Sequence, residues 1–171
     1  PAAVDALLDP VRSIVLLGAG SPAGLAPNVA PGLAEVGVFL PYSPLHQLLL
    51  GDFGGPVVAT SGNVSGEPVL TSATEAQERL AGVADAFLHH DRPIARPADD
   101  SVVRVIAGRA RPIRLGRGIT PLELPLPCVV PRPVLAVGGH LKTTVALAWD
   151  RRVVVSPHIG DMGTLRSEQV F

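Results

Sequence analysis

The run Thr60-Ser61-Gly62-Asn63-Val64-Ser65-Gly66 gathers three hydroxyls and an amide around two glycines. Such donors, with glycines that let backbone N–H groups come close, suit the oxygens of a phosphate. The run is not a P-loop, because no Gly-Lys-Ser/Thr follows it. The same pattern also describes a plain strand-to-loop turn whose hydroxyls cap their own backbone, and pattern alone favours that plainer reading. A second candidate is the arginine density between positions 92 and 117, where Arg92, Arg96, Arg104, Arg109, Arg111, Arg114 and Arg117 fall and where Val102 to Thr120 contains no acid. Guanidinium forks match phosphate oxygens two at a time. Some of these arginines belong to a solvated hairpin face; strand alternation puts Arg109 and Arg111 together. Arg114 and Arg117 lie nearer the glycine loop and rank above the others.

Asp99 and Asp100 are adjacent at the start of an apolar run, just before Ser101. Paired carboxylates could hold Mg²⁺ against nucleotide phosphates, or could simply pair with Arg92 or Arg96. His46 falls on the polar side of its helix and could donate to a phosphate. His89, His90, His140 and His158 have no metal-like spacing, and a structural role suits each better. Cys128 has no base near it in sequence and is not read as a nucleophile. Lys142, the sole lysine beside thirteen arginines, follows Gly138-Gly139 in a turn between strands. A turn of that kind can approach phosphates, or the lysine can simply be exposed.

These groups need elements to carry them. Ile14 to Leu17 reads as a buried strand, followed by a glycine-rich loop through Gly18, Gly20 and Pro22. Val36 to Pro41 reads as a second strand. Ser43 and Pro44 open a helix whose apolar face is Leu45, Leu48 and Leu49. Pro56 to Thr60 is expected as a third, central strand delivering the Ser61 loop to a sheet's carboxyl end, where ligands of open α/β sheets bind. Ser72-Ala73-Thr74-Glu75 is a capping box opening a helix to about Leu80. Ala86 to His89 is expected as a short strand. Ser101 to Ile106 and Ala110 to Leu115 are expected to form a hairpin. Pro121 to Pro133 reads as a proline-rich linker between a domain over 1–120 and a second, truncated one over 134–171. In the latter, strands at 134–137, 143–149 and 152–156 would make a three-stranded meander too small to bury a core alone.

The composition bounds the answer. With 47% hydrophobic and 17% charged residues in 171, the chain is not intrinsically disordered. A net charge of −1 argues against a nucleic-acid partner held by bulk charge. No apolar run is long enough to cross a membrane. The first residues carry no basic n-region and no h-region, so no secretory signal is expected, and one cysteine rules out an internal disulfide. A cytoplasmic setting is the expectation. Eighteen glycines and eighteen prolines imply short elements and many turns.

Taken together, Val36 to His46, Ala59 to Pro68, His90-Asp91-Arg92-Pro93-Ile94, Asp99 to Arg104, Ile113-Arg114 and Arg117-Gly118 resemble the YrdC-like domain of the HypF-type carbamoyltransferases of [NiFe] hydrogenase maturation. Leu135 to Thr144 with Ser156 to Asp161 is similar to the opening of that family's Kae1-like domain. The resemblance spans essentially the whole chain. It implies an α/β fold: part of a YrdC-like twisted open mixed sheet, followed by the first β-meander of an actin/sugar-kinase-like domain. It implies binding of ATP with Mg²⁺ and of carbamoyl phosphate, formation of carbamoyl-AMP with release of pyrophosphate, and transfer of the carbamoyl group to the C-terminal cysteine of a HypE-type acceptor protein. Ser61 and Asn63 match the family's Ser-x-Asn phosphate contacts, flanked by Thr60 and Ser65. Arg92, Asp100, Ser101, Arg114 and Arg117 would line the nucleotide pocket, with His46 facing it, and Gly138, Gly139 and Lys142 would form the phosphate turn of the second domain.

Complete members begin with an acylphosphatase-like domain and cysteine-rich zinc repeats, so zinc is expected only there. The family's Lys-x-Arg element and its His-rich metal motif are also missing here. The sequence is therefore expected to be an internal piece with doubtful activity alone. Two alternatives stand beside this reading: a threonylcarbamoyl-adenylate synthase of tRNA modification, and a catalytically incomplete remnant. Leu40-Pro41-Tyr42, the His46 helix and the Gly138-Gly139 segment speak against the first.

Overall fold

The computed structural model describes residues 1–18, 20 and 25–170. Ala19, Ser21 and Pro22 of the expected glycine-rich loop lie outside the described residues. The chain forms two compact units, one of residues 1–60 with 100–119 and one of residues 61–99 with 120–171.

The first unit holds α1 (Ala2–Leu8), β1 (Ile14–Gly18), β2 (Glu35–Val38), α2 (Pro44–Phe53), β3 (Val102–Ile106) and β4 (Arg109–Arg114). Its four strands lie in the order β2-β1-β3-β4. β1 runs antiparallel to β2 and parallel to β3, and β3 runs antiparallel to β4, so the sheet is mixed. Val15 and Val103 are register partners on adjacent strands. Both are buried, as apolar side chains on one face of paired strands should be. α1, not evident in the sequence, lies against β1, β3 and β4. The expected hairpin forms across Ala107 and Gly108, whose φ values of 51° and 75° are those of a two-residue turn with both central residues left-handed. Between Val102 and Val103 the register shifts, pairing Val102 with Arg114 and Val103 with Pro112. Ile113 is the extra residue, and such a bulge re-aims the side chain beside it, here Arg114.

α2 starts as expected. The Ser43 side chain accepts from the His46 N–H, and Pro44 occupies the first turn. Its apolar face is not covered, since Leu45, Leu48, Leu49 and Phe53 are all exposed. The third strand expected over 56–60 does not form. That segment has no ladder partner among the described residues, and Val57 and Val58 are exposed. An apolar run becomes a strand only where a neighbour accepts its backbone hydrogen bonds. The short strand expected at 86–89 is absent for the same reason, and Leu88 is exposed.

The second unit holds α3 (Ala73–Leu80), β5 (Leu122–Ala136), β6 (Ala146–Val155) and α4 (Leu165–Val170). α3 is capped as its sequence predicts, with the Ser72 side chain accepting from the Glu75 N–H. The segment 121–133 is not an irregular connector. Nearly all of it lies in β5, which pairs antiparallel with β6. The pairing is regular over Leu122–Pro125 and Val134–Ala136, and its irregularities fall between Pro125 and Val134. Proline cannot donate to a ladder, so the proline-rich middle is where the register slips. Asp150-Arg151, expected as a turn, is inside β6. Asp150 has φ 49° and opposes Val130 at one of these irregularities. The expected three-stranded meander is thus a two-stranded ribbon, and the strand expected from Thr143 begins at Ala146. Among the described residues no helix is long and apolar enough to cross a membrane.

Candidate functional site

The first unit brings four of the expected residues, Asp100, Ser101, Arg114 and His46, close to a fifth, Arg117. Arg117 donates from Nε to Asp100 Oδ1 (2.9 Å), from Nη1 to the Val11 carbonyl (3.0 Å) and from Nη2 to the Arg12 carbonyl (3.2 Å). Its guanidinium carbon lies 3.7 Å from the centroid of the Tyr42 ring. A guanidinium committed on all three nitrogens and stacked on an aromatic face is a clamp within the protein. Arg117 was expected to line a nucleotide pocket; its donors are instead turned inward.

Ser101 is likewise engaged within the fold. It is fully buried, its hydroxyl accepts from the Gly116 N–H (2.9 Å), and it donates to the Arg117 carbonyl (3.1 Å). That hydroxyl's one proton is used in the fold. Arg114 differs. Its Nε donates to the Asp100 carbonyl (2.9 Å), and among the described residues its two terminal nitrogens have no hydrogen-bond or ion-pair partner. A partly exposed guanidinium tethered at Nε, with its fork free, is the better anion donor of the two.

Tyr42 was missed by the sequence reading. Its ring meets the His46 ring edge-on at 4.6 Å and lies 6.0 Å from that of Phe39. Burial raises the Tyr42 phenol above its ordinary value, the Asp100 charge adds to this, and Arg117 offsets part of it. His46 therefore reaches this cluster through Tyr42. The signal available in sequence was an aromatic immediately before the Ser43 cap, with no hint that a residue 75 positions later would stack on it. Arg104, another of the sequence-selected arginines, is held by Glu35 at 2.6 Å.

Asp99 and Asp100 meet different partners. Asp100 takes Arg117, while Asp99 lies 3.7 Å from His158 Nε2. Among the described residues no group of three His, Cys, Asp or Glu side chains could hold a metal. Each of the two carboxylates singled out for Mg²⁺ thus already faces a side chain of its own.

In the second unit the loop after Thr60 is organised by Asn63. Asn63 Nδ2 donates to the Val64 and Glu67 carbonyls (3.0 and 2.9 Å), and the Ser61 hydroxyl donates to Asn63 Oδ1. The Leu70 N–H closes the loop on the Gly62 carbonyl (2.9 Å), and Leu70 is buried. Asn63 therefore shapes the loop, while the hydroxyls of the exposed Thr60 and Ser65 have no partner among the described residues. Arg92 is exposed and has no ion-pair partner among the described residues.

The Gly138–Lys142 turn is clasped by residues 159–162. Thr143 is buried, exchanges backbone hydrogen bonds with Ile159 and Gly160, and donates its hydroxyl to the Gly139 carbonyl. Lys142 has φ 53°, and Asp161 holds it twice, through its N–H (2.8 Å) and its Nζ (2.9 Å). The Lys142 hydrogen bonds keep the Asp161 carboxyl below the usual carboxylate range. Lys142 is thus an exposed lysine already paired with a carboxylate.

The profile of the Sua5–YciO–YrdC family, described as telomere recombination, matches residues 7–116, and that of the HypF Kae1-like domain matches 130–171. The carbamoyltransferase HypF of Synechocystis sp. is 44% identical over 168 residues, covering 98% of this chain and 22% of that protein. The chain belongs to the HypF-type carbamoyltransferase family. The HypF of Rhodobacter capsulatus is 45% identical over 174 residues, covering all of this chain and 23% of that protein. A crystal structure of full-length HypF in a phosphate- and nucleotide-bound form superposes with a TM-score of 0.92 at 39% identity, over 99% of this chain and 27% of that one. The chain spans about a fifth of the length of the curated relatives it matches. Its α/β fold is accordingly that of a YrdC-like portion and the opening of a Kae1-like domain, in the order expected.

Proposed function

We propose that this chain contributes the nucleotide-binding part of a HypF-type carbamoyltransferase. In this reading water first cleaves carbamoyl phosphate to carbamate and inorganic phosphate, and a carbamate oxygen then attacks the α-phosphorus of ATP. Pyrophosphate leaves; the C-terminal cysteine thiol of a HypE-type acceptor then loses its proton and takes the carbamoyl group from the carbamoyl-AMP, releasing AMP. The observation that carries the proposal is the likeness, over 99% of the chain, to a HypF that was solved with nucleotide and phosphate bound.

The residues are suited to such a step. The Ser61–Gly66 loop supplies backbone N–H groups and the free hydroxyls of Thr60 and Ser65, and Asn63 fixes the loop's shape. Arg114 offers an unoccupied guanidinium fork for phosphate charge. Arg117, Asp100 and Ser101 hold the segment that carries Arg114. Mg²⁺ would accompany ATP, with its protein ligands, if any, outside the Asp99–Asp100 pair. The test is isotope exchange of pyrophosphate into ATP, driven by carbamoyl phosphate, in the full-length protein that carries this chain. Asn63→Ala is expected to abolish the exchange while the protein stays folded. Normal exchange in that variant removes the loop from the reaction.

A further inference from the structure

α4 lies in the stretch that matches the Kae1-like profile, yet its side chains grip the Ser61–Gly66 loop of the YrdC-like stretch. Both belong to the same compact unit. Ser167 is buried, and its hydroxyl lies 3.4 Å from the Gly66 carbonyl and 2.9 Å from Thr164 Oγ1. Arg166, next to it, donates from Nη1 to the Glu75 carboxylate, and its Nε lies 3.7 Å from Glu67 Oε2. The same Glu67 carboxylate accepts from Arg79 Nη2 at Oε1 (2.9 Å), and its Oε2 lies 2.8 Å from Arg79 Nη1. Its backbone carbonyl is the one that accepts from Asn63. A continuous chain of contacts thus runs from α4 through Gly66 and Glu67 to Asn63 and Ser61. Two arginines and two glutamates in mutual contact fix geometry better than any isolated pair, because each charge is held from two sides.

We infer that Arg166 and Ser167 are positioning residues for the nucleotide loop, so that the opening of the second domain sets the geometry with which the first holds phosphate. The inference rests on the nucleotide-binding reading above. Neither residue touches a reacting atom. Each acts by holding the Gly66–Glu67 corner, on which the Asn63 amide depends. Small displacements of such groups carry a large cost, since productive geometry is lost over about 1 Å.

The test uses the full-length protein with two readouts. The first is amide hydrogen exchange of residues 61–67 without nucleotide. The second is the dissociation constant for ATP by calorimetry, with the melting temperature recorded alongside. Arg166→Ala is expected to speed exchange in the loop and to weaken ATP about tenfold with little change in melting temperature. Arg166→Lys, which keeps the charge but not the fork, is expected to recover part of the affinity. If Arg166→Ala does not fold, Ser167→Ala, which removes one hydroxyl, carries both readouts. Unchanged loop exchange and unchanged ATP affinity in a folded variant overturn the inference. Wild-type protein that binds no ATP refutes the nucleotide reading instead, and the loop-exchange result still decides whether α4 fastens the loop.

Discussion

Replacing Arg117 by alanine separates a clamp from a ligand. Arg117 and Asp100 side chains are 31% and 25% exposed, so the pair is only partly screened by water. The substitution removes three hydrogen bonds from a charged donor and leaves the Asp100 carboxylate and the Val11 and Arg12 carbonyls without them. Hydrogen bonds to charged groups contribute roughly 1.5–3 kcal/mol each, but they do not add, and water reaches part of this site. The stacking on Tyr42 contributes about 0.5–1 kcal/mol more. A loss of about 3 kcal/mol is therefore expected, which lowers the melting temperature of a chain this size by roughly 6–12 °C. Arg117→Lys keeps one contact at a time and should fall between the variant and the wild type. Arg114→Ala loses one hydrogen bond and should melt within about 2–4 °C of wild type, while the protein loses ATP affinity. Thermal unfolding followed by circular dichroism, paired with calorimetric ATP titration, reads both quantities. An Arg117→Ala protein that melts like the wild type and loses only ATP affinity would refute the clamp.

Other variants probe the remaining elements. Gly138→Ala places a Cβ 2.4 Å from the Thr144 carbonyl oxygen at φ 69°, so the turn must move. A loss of at least about 2 kcal/mol is expected by denaturant titration of the chain. Asp161 has a folded-state pKa below its ordinary value, so its contribution is present above the unfolded pKa, near 4, and is lost as pH falls through the depressed folded value. Amide exchange at Lys142 should therefore stay slow from neutral pH down to about 4 and quicken below it. In Asp161→Asn that acid transition should disappear.

Much of the fold was legible where local chemistry decides it. Ser43 and Ser72 cap helices because a hydroxyl at that position meets an N–H two or three residues on, and both pairs are sequence neighbours. The hairpin of β3 and β4 was legible too, since its two apolar runs are separated only by a short segment containing Gly108. What failed depended on distant partners. Val57 and Val58 read as a central strand, but periodicity says nothing of whether a neighbour exists to pair with them. The prolines from 125 to 133 read as a linker, although a ribbon tolerates them by slipping its register. The site divided along the same line. The Ser61–Gly66 loop and the arginine cluster were visible as residue types. Their working roles were not, because Arg117 is occupied by carbonyls from residues 11 and 12 and by a ring at position 42, and Glu67 by an arginine at 166.

The central claim, that this chain belongs to a carbamoyl-adenylating apparatus, is tested most directly by donor choice. Radiolabelled pyrophosphate exchange into ATP by the full-length protein is run in parallel with carbamoyl phosphate and with threonine plus bicarbonate. Exchange supported by carbamoyl phosphate alone is the predicted result. Exchange supported by threonine and bicarbonate instead, or by neither donor in protein that still binds ATP, would contradict it.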